Sequence, residues 1–410
     1  MVRPFKPATE PRDLNATDKT RANHIVDRVL RLEHAAVASQ LNEVLENFDG
    51  RHRNLLKTFQ ARADEMEEAL TPHAELNTAQ KCLIGAYFLH EYSFEAAALF
   101  NPSIIRHPDQ SGAPVGGSRF ILSLRAVGEG HISSLTFRSG SVDAVGIIKV
   151  DPTARLASIP RISSRTSSAH GDVIEIDFSG NGDVSERVIF PVTDSQSNGI
   201  EDARFVEFDD EGEQRYYATF TAYSGRGIRS ELLETTDFLK FRMRPLTGPA
   251  AKNKGMALFP RKLDGRYAMI ARQDNENLYL IYSDDIQTWS GGACILQPKY
   301  PWEFVQIGTC GAPIELDDGW LLLTHGVGAV RKYAIGAVLL DKKDPTKVLG
   351  RSVEPLVRPD STEREGYVPN VVYTCGGMRQ GNLLILPYAV SDTFSKFATI
   401  KINDLMATLG

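Results

Sequence analysis

Between about residues 18 and 100 the apolar positions recur at helical spacing. Leu30, Val37, Leu41, Val44 and Phe48 step by seven, four, three and four, which places them on one helix face. Leu55, Phe59, Ala63, Met66 and Leu70 repeat the pattern after Asp49-Gly50, a pair suited to ending one helix and turning into the next. The spacing predicts two antiparallel helices. Asn77-Thr78 caps a third that runs through Leu83, Ala86, Tyr87 and His90, and the alanine-rich stretch from Phe94 to Phe100 continues helical in composition. Charges of both signs alternate over these helices as on an ordinary solvated face, so the first quarter offers packing or self-association and no visible site.

After Asn101-Pro102 the period changes. Phe120 to Leu124, Val145 to Val150, Arg187 to Val192 and Tyr216 to Tyr223 are rich in β-branched and aromatic residues and are bounded by Gly, Asp, Asn and Pro. The reading is a helical extension over 1–100 and an all-β domain over 101–410, too long for a usual sandwich and suited to a closed propeller or a pair of sandwiches. An internal echo favours the propeller. Thr235-Thr236-Asp237-Phe238-Leu239-Lys240-Phe241 and Ser283-Asp284-Asp285-Ile286-Gln287-Thr288-Trp289 share the form [ST]-x-D-x-x-x-[FW], with their aspartates 48 positions apart, about one propeller blade. The expected physics is a turn in which hydroxyl and carboxylate accept from backbone N–H groups while the ring packs inside. Ser141-Val142-Asp143 is a weaker third copy.

Composition narrows the function. With 42% apolar and 24% charged residues the 410-residue chain has the balance of a globular protein, and a net charge of −6 lacks the basic footprint of a nucleic-acid binder. The four cysteines, Cys82, Cys294, Cys310 and Cys375, form neither a C-x-x-C pair nor a disulfide framework and read as reduced, mostly buried thiols. The polar start of the chain has no secretory core and no apolar run reaches the length of a membrane span, so the expectation is a cytoplasmic protein with no membrane partner. Neither H-E-x-x-H nor a Cys/His cluster is present, and no metal or cofactor is expected.

Three places concentrate charge beside strands. Gly199-Ile200-Glu201-Asp202-Ala203-Arg204 sets two carboxylates and a guanidinium before the strand at Phe205-Val206. That pattern fits a surface turn with an Asp–Arg salt bridge, or an acid whose partner sets its ionisation. Lys252-Asn253-Lys254-Gly255 precedes the apolar Met256 to Pro260, and Arg272 ends the next strand, Tyr267 to Ala271. Two cations at the ends of neighbouring strands can converge on one anion, or each can face solvent. His325 follows the apolar run Trp320 to Leu323 and is read either as a hydrogen-bonded structural histidine or as a ligand.

Six collinear segments carry a resemblance. G-I-E-D-A-R at 199–204, A-L-F-P at 257–260, W-E-x-x-x-I-G at 302–308, G-W-L-L-L-T-H-G-V at 319–327, P-N-V-V-Y at 369–373 and L-P-Y-A-V-S-D at 386–392 resemble glycoside hydrolase family 130, the β-mannoside phosphorylases and related β-mannosidases. The resemblance implies a mainly β fold, a five-bladed propeller, here with an N-terminal helical extension. It implies Asp202 as the general acid, acting on the glycosidic oxygen through a hydroxyl of the bound mannosyl unit. Asn101, Arg125, Arg204, Glu303 and Asp392 fall among the sugar-binding positions. Lys254, Arg272, His325 and Tyr333 correspond to the phosphate cluster. Ala203 stands where the family usually has Pro, Lys254-Gly255 where many members have Arg-Asn, and Gln306 where a lysine is frequent.

The implied reaction is inverting phosphorolysis of a β-1,2- or β-1,4-linked mannoside, with inorganic phosphate as co-substrate and α-mannose 1-phosphate as product. Phosphate brings its own charge and nucleophilic oxygen, so one acid and a cluster of cations suffice. Hydrolysis at the same place is the alternative, with Glu303 or Glu363 as base to activate the water. A sugar-binding propeller without catalysis is the third reading. Oligomeric state is open, with the N-terminal helices as the candidate surface for a homo-oligomer.

Overall fold

The computed structural model describes residues 1–5, 20–67, 76–180, 182–362 and 366–410. It divides into two compact units, Met1–Ser93 with Arg155–Ala157, and Phe94–Ala154 with Ser158–Gly410.

In the first unit, strand β1 (Val2–Pro4) precedes helices α1 (Arg21–Leu30), α2 (His34–Asn47), α3 (Leu55–Glu67) and α4 (Thr78–Tyr87), and β2 (Leu89–Glu91) closes it by pairing antiparallel with β1. Three helices therefore occupy the span in which periodicity predicts two. The seven-residue step from Leu30 to Val37 hides the break: the positions three and four beyond Leu30 are Glu33 and His34, and Glu33 takes extended backbone as the N-cap of α2. Asn77 caps α4 as expected, its side chain accepting from the Gln80 amide at 2.9 Å while Gln80 returns the bond. His90 lies in β2, beyond that helix. Val26, Val29, Val37, Met66, Leu83, Ile84 and Phe88 form the main apolar core of this unit. Leu70 lies outside the described residues.

The second unit begins with a correction. Residues 94–97 form a turn and β3 spans Ala98–Arg106, so the stretch from Phe94 to Phe100 is not helical. Alanine's helix preference is weaker than the pairing of β3 along β4 (Ser118–Val127), which buries Ala98 and Phe100. β5 (Ser133–Val142) and β6 (Ile148–Val150) complete a first antiparallel meander. The hairpin β7 (Arg161–Ser168) and β8 (Gly171–Asp177) and the short β9 (Val188–Ile189) follow.

A second meander comprises β10 (Gly199–Asp210), β11 (Glu213–Tyr223), β12 (Ile228–Thr235) and β13 (Lys240–Pro245), with β8 on the edge of β13. One parallel bridge, Gly199 to Ser133, joins it to the first in a single eleven-stranded sheet. The third contains β14 (Ala257–Leu258), β15 (Tyr267–Ala271), β16 (Leu278–Ser283) and β17 (Ala293–Leu296). In the fourth are β18 (Gln306–Thr309), β19 (Ile314–Glu315), β20 (Gly319–Val327), β21 (Tyr333–Asp341) and β22 (Val348–Arg351). The fifth has β23 (Val372–Tyr373), β24 (Met378–Gln380), β25 (Leu383–Val390) and β26 (Phe394–Lys401), and α5 (Ile402–Met406) ends the chain.

Apolar cores link these meanders in order. Phe137 and Ile121 of the first pack with Phe205 and Phe220 of the second. Val206 and Leu232 pack with Met269 and Trp289, and Phe259 and Ile270 with Trp320 and Leu322. Leu321 and Leu323 join Leu384 and Leu386, and Ile385 and Met378 join Phe120 and Ile104 of the first meander.

The repeated turn forms as its residues predict. Thr235 Oγ1 accepts from the Phe238 amide at 2.9 Å, and Asp237 Oδ1 accepts from Leu239 and Lys240 at 2.8 and 2.9 Å. Ser283 and Asp285 repeat the arrangement, and Phe241 and Trp289 are buried. Asp143 accepts from Val145 and Ile147, and Asp341, which the motif does not capture, accepts from Lys343 and Asp344. The four aspartates follow or end β5, β12, β16 and β21, one strand in each of four meanders.

Candidate active site

Two β-bulges set up the site. The register of β10 shifts between Glu201 and Arg204, and that of β3 shifts between Phe100 and Ser103. Asp202 and Asn101 sit in these bulges with φ of +54° and +50°, left-handed backbone that Asp and Asn tolerate better than most residues. Each bulge turns a polar side chain out of the alternation. Asn101 Nδ2 donates to Asp202 Oδ1 at 2.7 Å.

Both side chains line a cavity of about 260 Å³ together with Arg125, Glu201, Arg204, Lys254, Gly255, Arg272, Gln306, Gly308, His325, Arg331, Tyr333, Val371, Tyr373 and Asp392. These residues come from all five meanders or the loops that lead into them. Eight of the nine positions other than Asp202 expected from the sequence meet here; Glu303 does not. It is fully buried off the cavity, where Oε1 accepts from the Lys299 and Tyr300 amides and from Arg351 Nη2 at 2.6 Å. Its Oε1 is engaged by a turn and a buried ion pair, and it does not line the cavity. Glu363 lies outside the described residues.

Arg125 organises the acidic side. Its Nη2 donates to Glu201 at 2.6 Å, Nη1 reaches Asp202 Oδ1 at 3.4 Å, Nε donates to Ser133 Oγ, and the guanidinium lies over the Phe100 ring. Arg204 is held apart from the Asp202 carboxylate, donating to the Asp202 main-chain carbonyl at 2.8 Å and to the Tyr373 hydroxyl at 2.7 Å. The expected Asp–Arg pair thus exists, but with Arg125 rather than the neighbouring Arg204.

The charges decide which carboxyl carries a proton. Burial alone raises Asp202, but Arg125, Lys254 and Arg204 and the Asn101 hydrogen bond outweigh it and hold the carboxyl at about 2. Asp392 goes the other way: burial and the nearby Asp202 charge push it up to about 6 against the pull of Arg125 and Arg331. Burial likewise raises Glu201. His325 is pushed well below its ordinary range by burial and by Arg272 and Arg204, so its imidazole is neutral at neutral pH. It therefore adds no charge to the cavity at neutral pH.

Arg272 is the unusual member. It is 7% exposed, and among the described residues no carboxylate pairs with it and its Nε has no hydrogen-bond partner. Burial lowers its pKa. An unpaired buried guanidinium costs several kcal/mol unless an anion answers it. Half-buried Lys254 lines the same cavity and also has no ion pair among the described residues. Counting the lining groups, five cations (Arg125, Arg204, Lys254, Arg272, Arg331) face three carboxylates (Glu201, Asp202, Asp392), an excess of two positive charges.

Glu201 had a place in the charge cluster but no role, Arg331 and Tyr373 were not singled out from the sequence, and a repeat marks Arg331. Leu124-Arg125-Ala126-Val127-Gly128 and Thr324-His325-Gly326-Val327-Gly328 lie two hundred positions apart, as do His131 and Arg331, and Ser133 and Tyr333. Their registers match: Arg125 pairs with Leu135 and His325 with Ile335. Arg125 and His325 are thus the same position in two meanders. Among the described residues no group of three His, Cys, Asp or Glu could hold a metal ion, and no helix is long and apolar enough to cross a membrane.

Comparison with known proteins adds the family. A 1,2-β-oligomannan phosphorylase of Thermoanaerobacter sp. (strain X514) is 33% identical over 52% of this chain and 72% of its own length. A β-1,2-mannobiose phosphorylase of Listeria innocua is 31% identical over 54% of this chain and 63% of its own. The solved structure of β-1,2-mannobiose phosphorylase from Listeria innocua with β-1,2-mannobiose superposes with a TM-score of 0.55 at 23% identity, over 76% of this chain and 92% of that one, a likeness of fold. Residues 165–410, more than half of the sequence, match the family described as β-1,4-mannooligosaccharide phosphorylase, and the chain therefore belongs to glycoside hydrolase family 130.

Proposed function

We propose that the protein is an inverting phosphorylase of β-mannosides, with β-1,2-linked manno-oligosaccharides as the first candidates and β-1,4-linked ones as the second. The observation that carries this reading is Arg272, a buried cation without a carboxylate partner, in a cavity whose lining has two positive charges in excess. A phosphate anion is of the right sign and size to answer it. In this reading Lys254 and Arg272 hold phosphate as charges, His325 and Tyr333 as hydrogen-bonding groups, and Asn101, Arg125, Arg204 and Asp392 hold the mannosyl unit.

Asp202 is the acid. Its proton passes to a hydroxyl of the bound mannosyl unit, which gives its own to the glycosidic oxygen; the bond from that oxygen to the mannosyl C1 breaks, and a phosphate oxygen bonds to C1 from the opposite face, giving α-mannose 1-phosphate and a shortened acceptor. The acid must be protonated to act, whereas the ligand-free cavity keeps it ionised. Phosphate set against Lys254 and Arg272 offsets the field that holds Asp202 down, and a bound sugar displaces water from it; both move the carboxyl toward its protonated form.

The five meanders are read as the blades of a five-bladed propeller around this cavity. Support comes from their cores, which link first to second, second to third, third to fourth, fourth to fifth and fifth back to first. The aspartate turn that recurs in four of them points the same way. No cofactor beyond phosphate is invoked.

The test is turnover of β-1,2- and β-1,4-mannobiose in phosphate buffer and in buffer free of phosphate. Cleavage is expected only with phosphate, and Asp202→Asn should lower kcat by about 10²–10⁴-fold. Equal release of free mannose in both buffers would favour hydrolysis instead.

A further inference from the structure

His325 lines the cavity but lacks the partner that ordinarily fixes a functional imidazole. Among the described residues neither ring nitrogen meets a carboxylate or a carbonyl; Nδ1 instead faces the thiol of Cys310, with Sγ 3.9 Å away. Both residues are buried. The ring has little freedom to turn. It stacks on Tyr333 with centroids 5.9 Å apart and planes 19° apart, and it lies 4.8 Å from the Tyr373 ring. On the remaining side is Gly308, where any Cβ would sit 2.4 Å from Nε2.

The sulfur is held as firmly. Cys310 donates its amide to Leu323 O at 2.9 Å, which fixes the backbone that carries it. Burial pushes the thiol up to about 12, so it keeps its hydrogen. A protonated thiol has one hydrogen to place, and Nδ1 of His325 is the acceptor beside it. The reverse arrangement, Nδ1–H to sulfur, strands the thiol hydrogen in the core and turns the Nε2 lone pair toward the anion site.

We propose that Cys310 is a positioning residue that fixes the tautomer of His325, its S–H donating to Nδ1 so that Nε2 carries the hydrogen and donates to an oxygen of the bound phosphate. The inference rests on the phosphate reading above. It explains why a buried cysteine stands behind the histidine: the pair delivers a neutral donor to an anion site already rich in cations. The imidazole then need never be charged.

Two measurements test it. In protein labelled with ¹⁵N at histidine, with His325 assigned by comparison with His325→Asn, the ring should show a protonated Nε2 and an unprotonated Nδ1. In steady-state kinetics Cys310→Val should raise the phosphate KM about tenfold, the order of one hydrogen bond to a charged group, with kcat and the mannoside KM within about twofold. Cys310→Ser, which keeps a donor, should restore both the tautomer and the KM. A protonated Nδ1 in the wild type, or a Cys310→Val protein with unchanged phosphate KM, overturns the proposal. If the valine variant fails to fold, the wild-type ring spectrum and the serine variant decide. Failure of the phosphate reading is separate, because it appears in the wild type as turnover without phosphate.

Discussion

Arg272 and Asp392 are the side chains on which the site's charge balance turns. Replacing Arg272 by Gln removes an unanswered buried charge, so the ligand-free protein should lose no stability in thermal melts while the phosphate KM rises at least about tenfold. An Arg272 that serves only structure predicts the opposite, a less stable protein with ordinary phosphate affinity. Asp392 makes a pH prediction. Its carboxyl is raised to about 6 in the folded state, above its ordinary value, so its contribution to stability is full at low pH and is lost as pH rises through about 6. Asp392→Asn does not titrate, and should match the wild type near pH 4 and exceed it by about 1–2 kcal/mol at pH 8, with mannoside binding weakened. Denaturant melts at the two pH values check the sign, and a variant less stable than the wild type at pH 8 would contradict it. The charged residues of the site were legible as residue types, because carboxylates and cations crowd beside strand ends in few other places. Their pairing was not. Arg125 is 77 positions from Asp202, and only the folded bulges bring its guanidinium to both acidic neighbours.

At the scale of elements, the recurring aspartate turn is where local sequence and fold agree most closely. Asp237 accepts from two amides that would otherwise lack partners in the turn. Asp237→Ala should therefore cost about 1 kcal/mol, the usual loss for such a capping group, whereas exposed Asp284, beside the capping Asp285 of the second copy, should tolerate alanine within about 0.5 kcal/mol. Chemical denaturation measures both, and equal effects would remove the turn from the account. The motif reads from sequence because hydroxyl, carboxylate and ring act within seven residues. Other elements read poorly for the converse reason. The stretch from Ala98 to Phe100 is a strand because β4 lies beside it, and that partner lies twenty and more residues on. The split of α1 from α2 left a trace only in the missing apolar position after Leu30. Glu303 sits in a segment that resembles the family, yet its side chain folds back on Arg351, a partner 48 residues away, and lies off the cavity.

For the whole molecule, five meanders each send residues to one cavity, and no single meander holds the site. Asn101 and Arg125 come from the first, Glu201, Asp202 and Arg204 from the second, and Arg272 from the third, directly after β15. His325 and Tyr333 belong to the fourth, and Tyr373 and Asp392 to the fifth, Asp392 in the turn between β25 and β26. Periodicity gave the fold class, since strand runs and turn residues are local. Convergence of the site was visible only as collinear resemblance, because the spacing that unites Arg125 with His325 is two hundred residues long. The central claim is that this shared cavity delivers phosphate, and not water, to the mannosyl carbon. Following the reaction with β-1,2-mannobiose by ³¹P NMR tests it most directly. One inorganic phosphate should be consumed per disaccharide cleaved, and α-mannose 1-phosphate should accumulate as the first product. Disaccharide that disappears while the phosphate signal stays constant would contradict the account.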